Sequence, residues 1–295
     1  MSIETINLNT PSPSATSIFS MPLYQGASFN SQYGTWWINY VGGFMRFNLN
    51  LSGQDMSNIG VVINCILCST TVNGVSNCPL TISVNGTNVV VNWDNHNNNF
   101  YSISWAVPLN LLNSGSGGNT IQFTLTGGNT AVMIKQVSAL VFQMQHQQQT
   151  NWCWAGVSTS VSKYYNRASG WTQCTVVNSA LGQTTCCQSG GSSQCNQPWY
   201  LDRALQITGN YTSMQAGSIP AAQLQGQSNG MHPTGIRIGW SGGGGHFIVG
   251  SGVSQNNSMV MVEDPWYGSS YITYSTLQNA YQGTGSWTHT YFTHG

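Results

Sequence analysis

Residues 147–156 read QQQTNWCWAG, and the character of the chain changes at this stretch. On its C-terminal side, apolar and aromatic side chains recur at the i, i+4 and i+7 spacing of a buried helical stripe, which predicts a helix over 153–166. Further helices are predicted over about 174–182 and 198–208, and strand-like runs return after residue 234. Helices followed by a sheet are typical of an α+β domain.

The N-terminal side of this stretch has a different pattern. Short β-branched and aromatic runs, such as TWWINYV and LTISVNGTNVVVNW, alternate with clusters of Gly, Asn and Ser. Such a pattern is typical of an antiparallel sandwich or barrel. We therefore predict two domains: an all-β, jelly-roll-like sandwich over 1–143 as an accessory domain, and an α+β domain over 144–295.

Charged side chains are scarce throughout the chain. Only 6 Lys or Arg and 6 Asp or Glu occur in 295 residues, and the formal net charge is zero. Such a surface offers no basic field for phosphate groups, so nucleic acid is not an expected partner. No apolar run reaches the ~18 residues of a membrane span. Neither a metal nor a cofactor is predicted, because acids are few and the second half has no Cys-x-x-Cys pair.

Cysteine usage bears on the compartment. Eight cysteines in a chain with so few charges favour an oxidising, extracellular setting. The first thirty residues contain neither a basic n-region nor an apolar h-region, so they do not predict an ordinary signal peptide. We expect a protein that is secreted or delivered into a host cell, either by a signal-less route or after removal of a leader.

Cys153 stands where the predicted helix begins. A cysteine that attacks a carbonyl must do so as a thiolate, which the N–H groups and dipole of a helix N-terminus favour. It also needs a base, and His246 is the best candidate because it opens a strand directly after the glycine-rich SGGGG. The competing interpretation is a buried structural cysteine or a disulfide partner.

An acid should orient the imidazole, and after residue 143 only Asp202, Glu263 and Asp264 are available. The runs HFIVGSGV and SMVMVEDP, joined by SQNNS, predict a hairpin. If it is centred near Gln255, then His246 lies opposite Asp264, while Glu263 points to the other face. The competing interpretation is an Asp-Pro turn that merely ends the strand.

Taken together, QQQTNWCWA, a His after a glycine loop and the Asp of VEDPW resemble the papain-like cysteine proteases, most of all the bacterial effector (avirulence-type) proteases of plant pathogens. The resemblance covers about 144–294 and implies a papain-like α+β fold. It also implies a cysteine endopeptidase, a hydrolase that cleaves protein or peptide substrates through an acyl-enzyme on a catalytic triad of Cys153, His246 and Asp264. In that family the oxyanion Gln lies six residues before the nucleophile, which implies Gln147.

The sequence departs from papain itself in two ways. Asp264 stands where papain-type enzymes use Asn, and the CGSCW string is missing. Two alternatives to peptide cleavage stay open. One is transglutaminase-like acyl transfer by the same three residues, and the other is a non-catalytic adhesin or lectin-like binding protein.

Four more cysteines of the second half lie close together in sequence: Cys174, Cys186, Cys187 and Cys195. Bonding the two adjacent ones to each other is strained, so we predict two crossed or nested disulfides. A zinc site from the same four residues is disfavoured by their spacing.

In the first half, Cys68 and Cys78 flank a short turn that a disulfide could close, and Cys65 is expected to be a buried thiol. Four tryptophans there are candidates for stacking on a glycan or gripping a protein ligand, although filling the core is the commoner role of such rings. These are Trp36, Trp37, Trp93 and Trp105.

Overall fold

The structure, a computed structural model, describes residues 3–16, 18–72, 75, 76, 78–95, 99–128 and 130–295. The chain forms two compact units. The sandwich unit comprises Glu4–Gln54 and Val62–Leu140, and the mixed unit joins Asp55–Val61 to Val141–Gly295. That the two domains divide between residues 143 and 144 stays a prediction.

Thirteen strands lie in the described part of the chain up to residue 143: β1 (Ile3–Asn7), β2 (Phe19–Gln25), β3 (Ala27–Asn30), β4 (Thr35–Ile38), β5 (Phe44–Leu49), β6 (Ile59–Ser69), β7 (Thr71–Val72), β8 (Val75–Ser76), β9 (Leu80–Val84), β10 (Thr87–Trp93), β11 (Tyr101–Ala106), β12 (Asn119–Leu125) and β13 (Val132–Gln143). One sheet has the order β11-β6-β13-β4-β3, with β1 also on β13, and the other has the order β10-β9-β12-β5-β2. β7 and β8 form a separate pair. This antiparallel arrangement confirms the predicted β-sandwich character.

The alternation of side chains explains why these segments form sheets with one buried face. In β5, Met45, Phe47 and Leu49 are buried while the residues between them are partly exposed. The Phe47 ring packs against Phe19 at 5.7 Å and against Phe123 at 5.3 Å between ring centroids, which joins three strands of one sheet through aromatic contacts.

The mixed unit contains five helices and a six-stranded antiparallel sheet. The helices are α1 (Cys153–Tyr165), α2 (Gln173–Leu181), α3 (Leu201–Thr208), α4 (Ala221–Asn229) and α5 (Tyr274–Asn279). The strands, in sheet order, are β14 (Tyr211–Ala216), β19 (Gly285–Thr293), β15 (Thr234–Trp240), β16 (Gly245–Val253), β17 (Met259–Asp264) and β18 (Gly268–Thr273). Three helices lie close to their predicted places, and α4 and α5 were not predicted.

One face of this sheet is covered by α4 and α5. Leu224 of α4 and Leu277 of α5 belong to a fully buried cluster with Ile236, Ile248 and Val260 of the central strands. Removing such side chains from water is the main stabilising term for the sheet. None of the helices in the described residues is long and apolar enough to cross a membrane.

The cysteines differ between the two units. In the mixed unit Cys174 is bonded to Cys187 and Cys186 to Cys195, so the two disulfides are crossed. The sandwich unit holds thiols instead, and the proposed disulfide between Cys68 and Cys78 is not formed.

The environment of the sandwich-unit thiols accounts for their state. The Cys68 thiol donates to the carbonyl of Ser69 at 3.4 Å and the Cys78 thiol donates to that of Thr70 at 3.6 Å, so each points at the backbone. Burial raises the pKa of Cys68 to about 11, and it raises that of the fully buried Cys65 well above the ordinary thiol value. High thiol pKa values disfavour the thiolate that disulfide formation requires.

Candidate functional site

A cleft of about 930 Å³ opens in the mixed unit, and Cys153 and His246 both line it. Its walls are rich in aromatic rings, among which Tyr200, Trp266 and Tyr267 are exposed. A concave site with aromatic walls and a few polar groups is the usual form of a ligand site.

Cys153 is the first residue of α1, as predicted from the sequence. Two flanking rings hold this turn in place. The indole of Trp152 donates to the carbonyl of Cys195 at 2.8 Å, and that of Trp154 donates to the carbonyl of Gln197 at 3.0 Å. Because Cys195 is disulfide-bonded, the cross-linked loop fixes the start of the helix that carries the thiol.

His246 and Asp264 meet as the sequence predicted, but in a different register. His246 Nε2 donates to Asp264 Oδ1 at 2.8 Å. The hairpin places Glu263 opposite Val249, whereas a turn centred on Gln255 would put Glu263 opposite Phe247. A register irregularity between Gly250 and Gly252 accompanies this shift of two residues. A shift of two keeps each side chain on its face, so the contact survives.

Asp264 is fully buried and satisfied by several donors. The backbone N–H groups of Trp266 and Tyr267 donate to its Oδ1 at 2.6 and 2.9 Å, and the Tyr281 hydroxyl donates to its Oδ2 at 2.7 Å. These bonds fix the carboxylate while it accepts from His246. The Asp-Pro turn, considered as a competing interpretation, therefore coexists with the contact to the imidazole.

The electrostatics of His246 favour its charged form. Burial acts to lower the pKa of this imidazole, but hydrogen bonds to Asp264 and to the Cys153 thiol outweigh burial and raise it to about 9. Trp240 stacks on the ring, with centroids 6.1 Å apart, and keeps water from one side. Chemically, an imidazolium between a carboxylate and a thiol can hold that sulfur as a thiolate.

Gln147 lines the same cleft and is buried, but its amide is already engaged. Its Nε2 donates to the carbonyls of Gln149 at 2.8 Å and Thr150 at 2.9 Å. Its buried Oε1 has no partner in the described part of the molecule. Both N–H groups of the Gln147 amide bond to backbone carbonyls, so an oxyanion would have to replace one of these bonds. The role of Gln147 as an oxyanion donor therefore stays a prediction.

Glu263, which the sequence placed on the opposite face from Asp264, is completely buried. Its Oε1 accepts from the Ser251 hydroxyl at 2.7 Å, and Gly60 of the same unit approaches so closely that a Cβ would overlap the carboxyl group. Burial raises the pKa of Glu263 to about 8. No group of three or more His, Cys, Asp or Glu forms a set of metal ligands among the described residues.

A second candidate site lies in the sandwich unit, where three tyrosines are about half exposed. Tyr24 of β2 is 49% exposed, Tyr33 of the β3–β4 turn 54% and Tyr40 of the β4–β5 turn 52%. We call these three the tyrosine edge. Tyr24 meets Trp36 edge-on at 4.6 Å between ring centroids, and Tyr33 packs on Trp37 at 5.3 Å.

The sequence had offered four tryptophans as candidate ligand contacts and had favoured a role in the core for most of them. Trp36 and Trp105 are each only 2% exposed and belong to the core, whereas Trp37 and Trp93 are partly buried. The tyrosines were missed, although Tyr33 precedes Gly34 and Tyr40 stands two residues before Gly42, both in turns, where side chains are commonly exposed.

No protein-family model matches the chain, and no curated protein matches it. Several of the solved structures that match are carbohydrate-binding modules. A family 35 module from Paenibacillus barcinonensis is 20% identical, with 46% of this chain and 96% of the module covered and a TM-score of 0.27. The C-terminal family 6 module of a laminarinase from Zobellia galactanivorans is 12% identical, with 46% and 98% covered and a TM-score of 0.30.

A family 35 module from Clostridium thermocellum is 18% identical, with 48% of this chain and 90% of the module covered and a TM-score of 0.27. Likeness at this level assigns no function to the chain. These comparisons nevertheless contradict what the papain-like resemblance implied, because the matching structures named here are carbohydrate-binding modules and not papain-like proteases. We therefore withdraw three expectations: membership of the papain-like family, a papain-like fold for 144–295 and cysteine endopeptidase activity.

Proposed function

We propose that the chain is a lectin-like protein whose sandwich unit binds a neutral glycan at the tyrosine edge. The observation that carries this proposal is that Tyr24, Tyr33 and Tyr40 are each about half exposed within residues 24–40 of one unit. Exposed aromatic side chains are enriched at binding surfaces in soluble proteins.

The surroundings of the tyrosine edge fit an uncharged, hydroxylated ligand. No Asp, Glu, Lys or Arg occurs between Glu4 and Arg46, so the polar side chains of this stretch are uncharged. Arg46, which lies opposite Leu23 in the pairing of β2 with β5, donates to the Gln122 amide oxygen. Asn39 Nδ2 donates to the Ser28 hydroxyl at 2.9 Å on the exposed surface, which shows the kind of hydrogen bonding available there. A sugar offers apolar C–H faces to aromatic rings and hydroxyls to amide groups.

The supporting rings hold the exposed tyrosines in place. Tyr33 leans on Trp37, whose indole donates to the Thr35 hydroxyl at 2.8 Å, and the Tyr40 ring lies over Gly26 where a Cβ would overlap it. Rings held in place before binding lose little conformational freedom when a ligand arrives.

A glycan array of neutral saccharides, probed with the full chain, tests the proposal. We expect Tyr33→Ala and Tyr40→Ala each to weaken binding about tenfold, the usual cost of truncating a central aromatic contact. Tyr101→Ala is the matched control, because Tyr101 is 43% exposed on β11, at the opposite edge of its sheet from β3. Equal losses in all three variants, or none, would refute the proposal.

We also propose that Cys153, His246 and Asp264 form an activated thiol centre in the cleft of the mixed unit. The supporting observations are the hydrogen bond from His246 to the buried carboxylate of Asp264 and the place of Cys153 at the start of α1 in the same cleft. The sequence also left open transglutaminase-like acyl transfer, in which this thiol would react and an amine would be the acceptor. That reaction stays a prediction.

Limited iodoacetamide labelling followed by peptide mass spectrometry tests the thiol proposal. We expect Cys153 to react first near neutral pH and His246→Ala to slow its alkylation about 100-fold, the lower range of acid–base contributions. The buried thiol of Cys65 is the internal control and should stay unlabelled in both proteins. Labelling that begins at another cysteine, or a rate indifferent to His246→Ala, is the contrary result.

A further inference from the structure

Arg237 of β15 is the cationic side chain that faces the cleft beside His246. Its guanidinium lies over Gly245, where a Cβ would come within 2.7 Å of Nη2. Nη1 donates to the Thr288 hydroxyl at 2.9 Å and Nη2 to the carbonyl of Gly244 at 3.3 Å. Position 245 therefore has space for the guanidinium only because it is glycine.

The acids of the mixed unit are all engaged elsewhere. Asp264 accepts from His246 and Glu263 accepts from Ser251, while Asp55 accepts from Ser57 and Asn58. Asp202 also lines the cleft, but its nearest cation is Arg203, with Nε 3.7 Å from Oδ2. Within the described residues, Arg237 therefore has neutral hydrogen-bond partners and no carboxylate.

The neighbours of Arg237 limit the charge of a ligand. His289 lies directly across from it on β19, and burial, followed by the charge of Arg237, lowers the pKa of that imidazole. His289 is therefore neutral at pH 7 and adds no second positive charge. Asp202 contributes a negative charge in the same cleft. Because Asp264 pairs with His246, Arg237 and Asp202 are the remaining charged side chains of the cleft, and this balance suits a singly charged anion better than a phosphate dianion.

We infer that Arg237 forms a carboxylate-binding subsite in the cleft that Cys153 also lines, so that the ligand of this cleft carries a carboxylate in addition to the atom that meets the thiol. This inference depends on the activated-thiol proposal in one respect only, namely that Cys153 is reactive. Guanidinium groups bind carboxylates with two parallel N–H donors, and partial burial in a cleft strengthens that contact relative to bulk water.

The ratio of two alkylation rates at Cys153 tests the subsite. Iodoacetate and iodoacetamide form the same bond from Sγ to a CH₂ group and release iodide, but only iodoacetate carries a carboxylate. We expect Arg237→Gln to lower the iodoacetate-to-iodoacetamide rate ratio about tenfold, because the variant removes a unit positive charge that attracts the carboxylate of iodoacetate into the cleft. Arg237→Lys should keep part of the preference.

Arg167→Gln is the matched control, because Arg167 is exposed beyond the end of α1 and does not line the cleft. It should leave the ratio unchanged, and Asp202→Asn should raise it. A ratio that is the same in wild type and Arg237→Gln overturns the subsite. If the activated-thiol proposal fails instead, both reagents react with Cys153 at the slow rate of an ordinary thiol. The iodoacetate-to-iodoacetamide rate ratio still tests the role of Arg237 in that case.

Protection experiments distinguish the source of the carboxylate. N-acetylglycine presents a chain-terminal carboxylate and the α-amide of N-acetylglutamic acid presents a side-chain carboxylate. We expect one of them to slow iodoacetamide labelling of Cys153 in wild type and to lose that effect in Arg237→Gln. Protection by neither compound, or equal protection of both proteins, contradicts the subsite.

Discussion

The sandwich unit and the mixed unit are both built from antiparallel sheets, yet they use polar chemistry in opposite ways. In the sandwich unit the tyrosine edge is exposed and lies in a stretch without charges. In the mixed unit two acids, Glu263 and Asp264, are completely buried, and one of them holds a charged imidazole. Exposed neutral rings suit reversible contact with a neutral ligand, whereas buried charge suits a reactive group.

The disulfides give the largest expected difference between the units. Removing the Cys186–Cys195 bond should lower the stability of the mixed unit by about 3 kcal/mol, since it closes a short loop that anchors Trp152. Hydrogen exchange resolved by peptide, with and without dithiothreitol, measures this. Amides of the sandwich unit, which has no disulfide among its described residues, serve as the control. An equal loss of protection in both units would show that the disulfides do not stabilise the mixed unit selectively.

Glu263 gives the next largest effect, which depends on pH. Burial raises its pKa from the ordinary 4.5 to about 8, so the folded unit holds this proton more tightly than the unfolded chain does. The contribution of Glu263 to the stability of the unit is therefore greatest below pH 4.5 and falls, by about 1 kcal/mol per pH unit, as the pH rises towards 8.

Glu263→Gln keeps an acceptor for the Ser251 hydroxyl and removes the titrating proton. We expect the variant to gain stability over wild type as the pH rises from 6 to 8, by about 2 kcal/mol in all. Urea unfolding at several pH values is the measurement. Parallel pH curves for the two proteins would show that Glu263 does not titrate in this window.

The smallest expected effect concerns the support of the tyrosine edge. Gly26 has φ +63° and lies under the Tyr40 ring, so Gly26→Ala costs about 1 kcal/mol for the backbone and also displaces the ring. Gly53→Ala is the matched control, because Gly53 has φ +78° but open space around its Cα. Both should lower the melting temperature, and only Gly26→Ala should weaken glycan binding. If Gly26→Ala and Gly53→Ala bind the glycan equally well, then Tyr40 does not belong to the binding site.

How far the sequence predicted these features depends on whether each is local. The start of α1 at Cys153 follows from a helical pattern within one segment, and the contact between His246 and Asp264 follows from the alternation of side chains in a hairpin. The register itself was wrong by two residues, because the irregularity near Ser251 leaves no mark in the hydrophobic pattern.

Features that depend on packing between distant segments were not predictable. The sequence could not show that Trp36 and Trp105 are buried while Tyr33 and Tyr40 are exposed, since that depends on which face each sheet turns to the core. Nor could it show that Asp55–Val61 joins the mixed unit, because the close approach of Gly60 to Glu263 involves residues about two hundred positions apart.

Glycan-array binding by three forms of the full chain tests the central claim most directly: wild type, Cys153→Ala, and the double variant Tyr33→Ala with Tyr40→Ala. We predict that Cys153→Ala binds the same saccharides as wild type with unchanged affinity. We predict that the double variant loses binding while its melting temperature stays close to that of wild type. Binding that depends on Cys153 and persists in the double variant would contradict it.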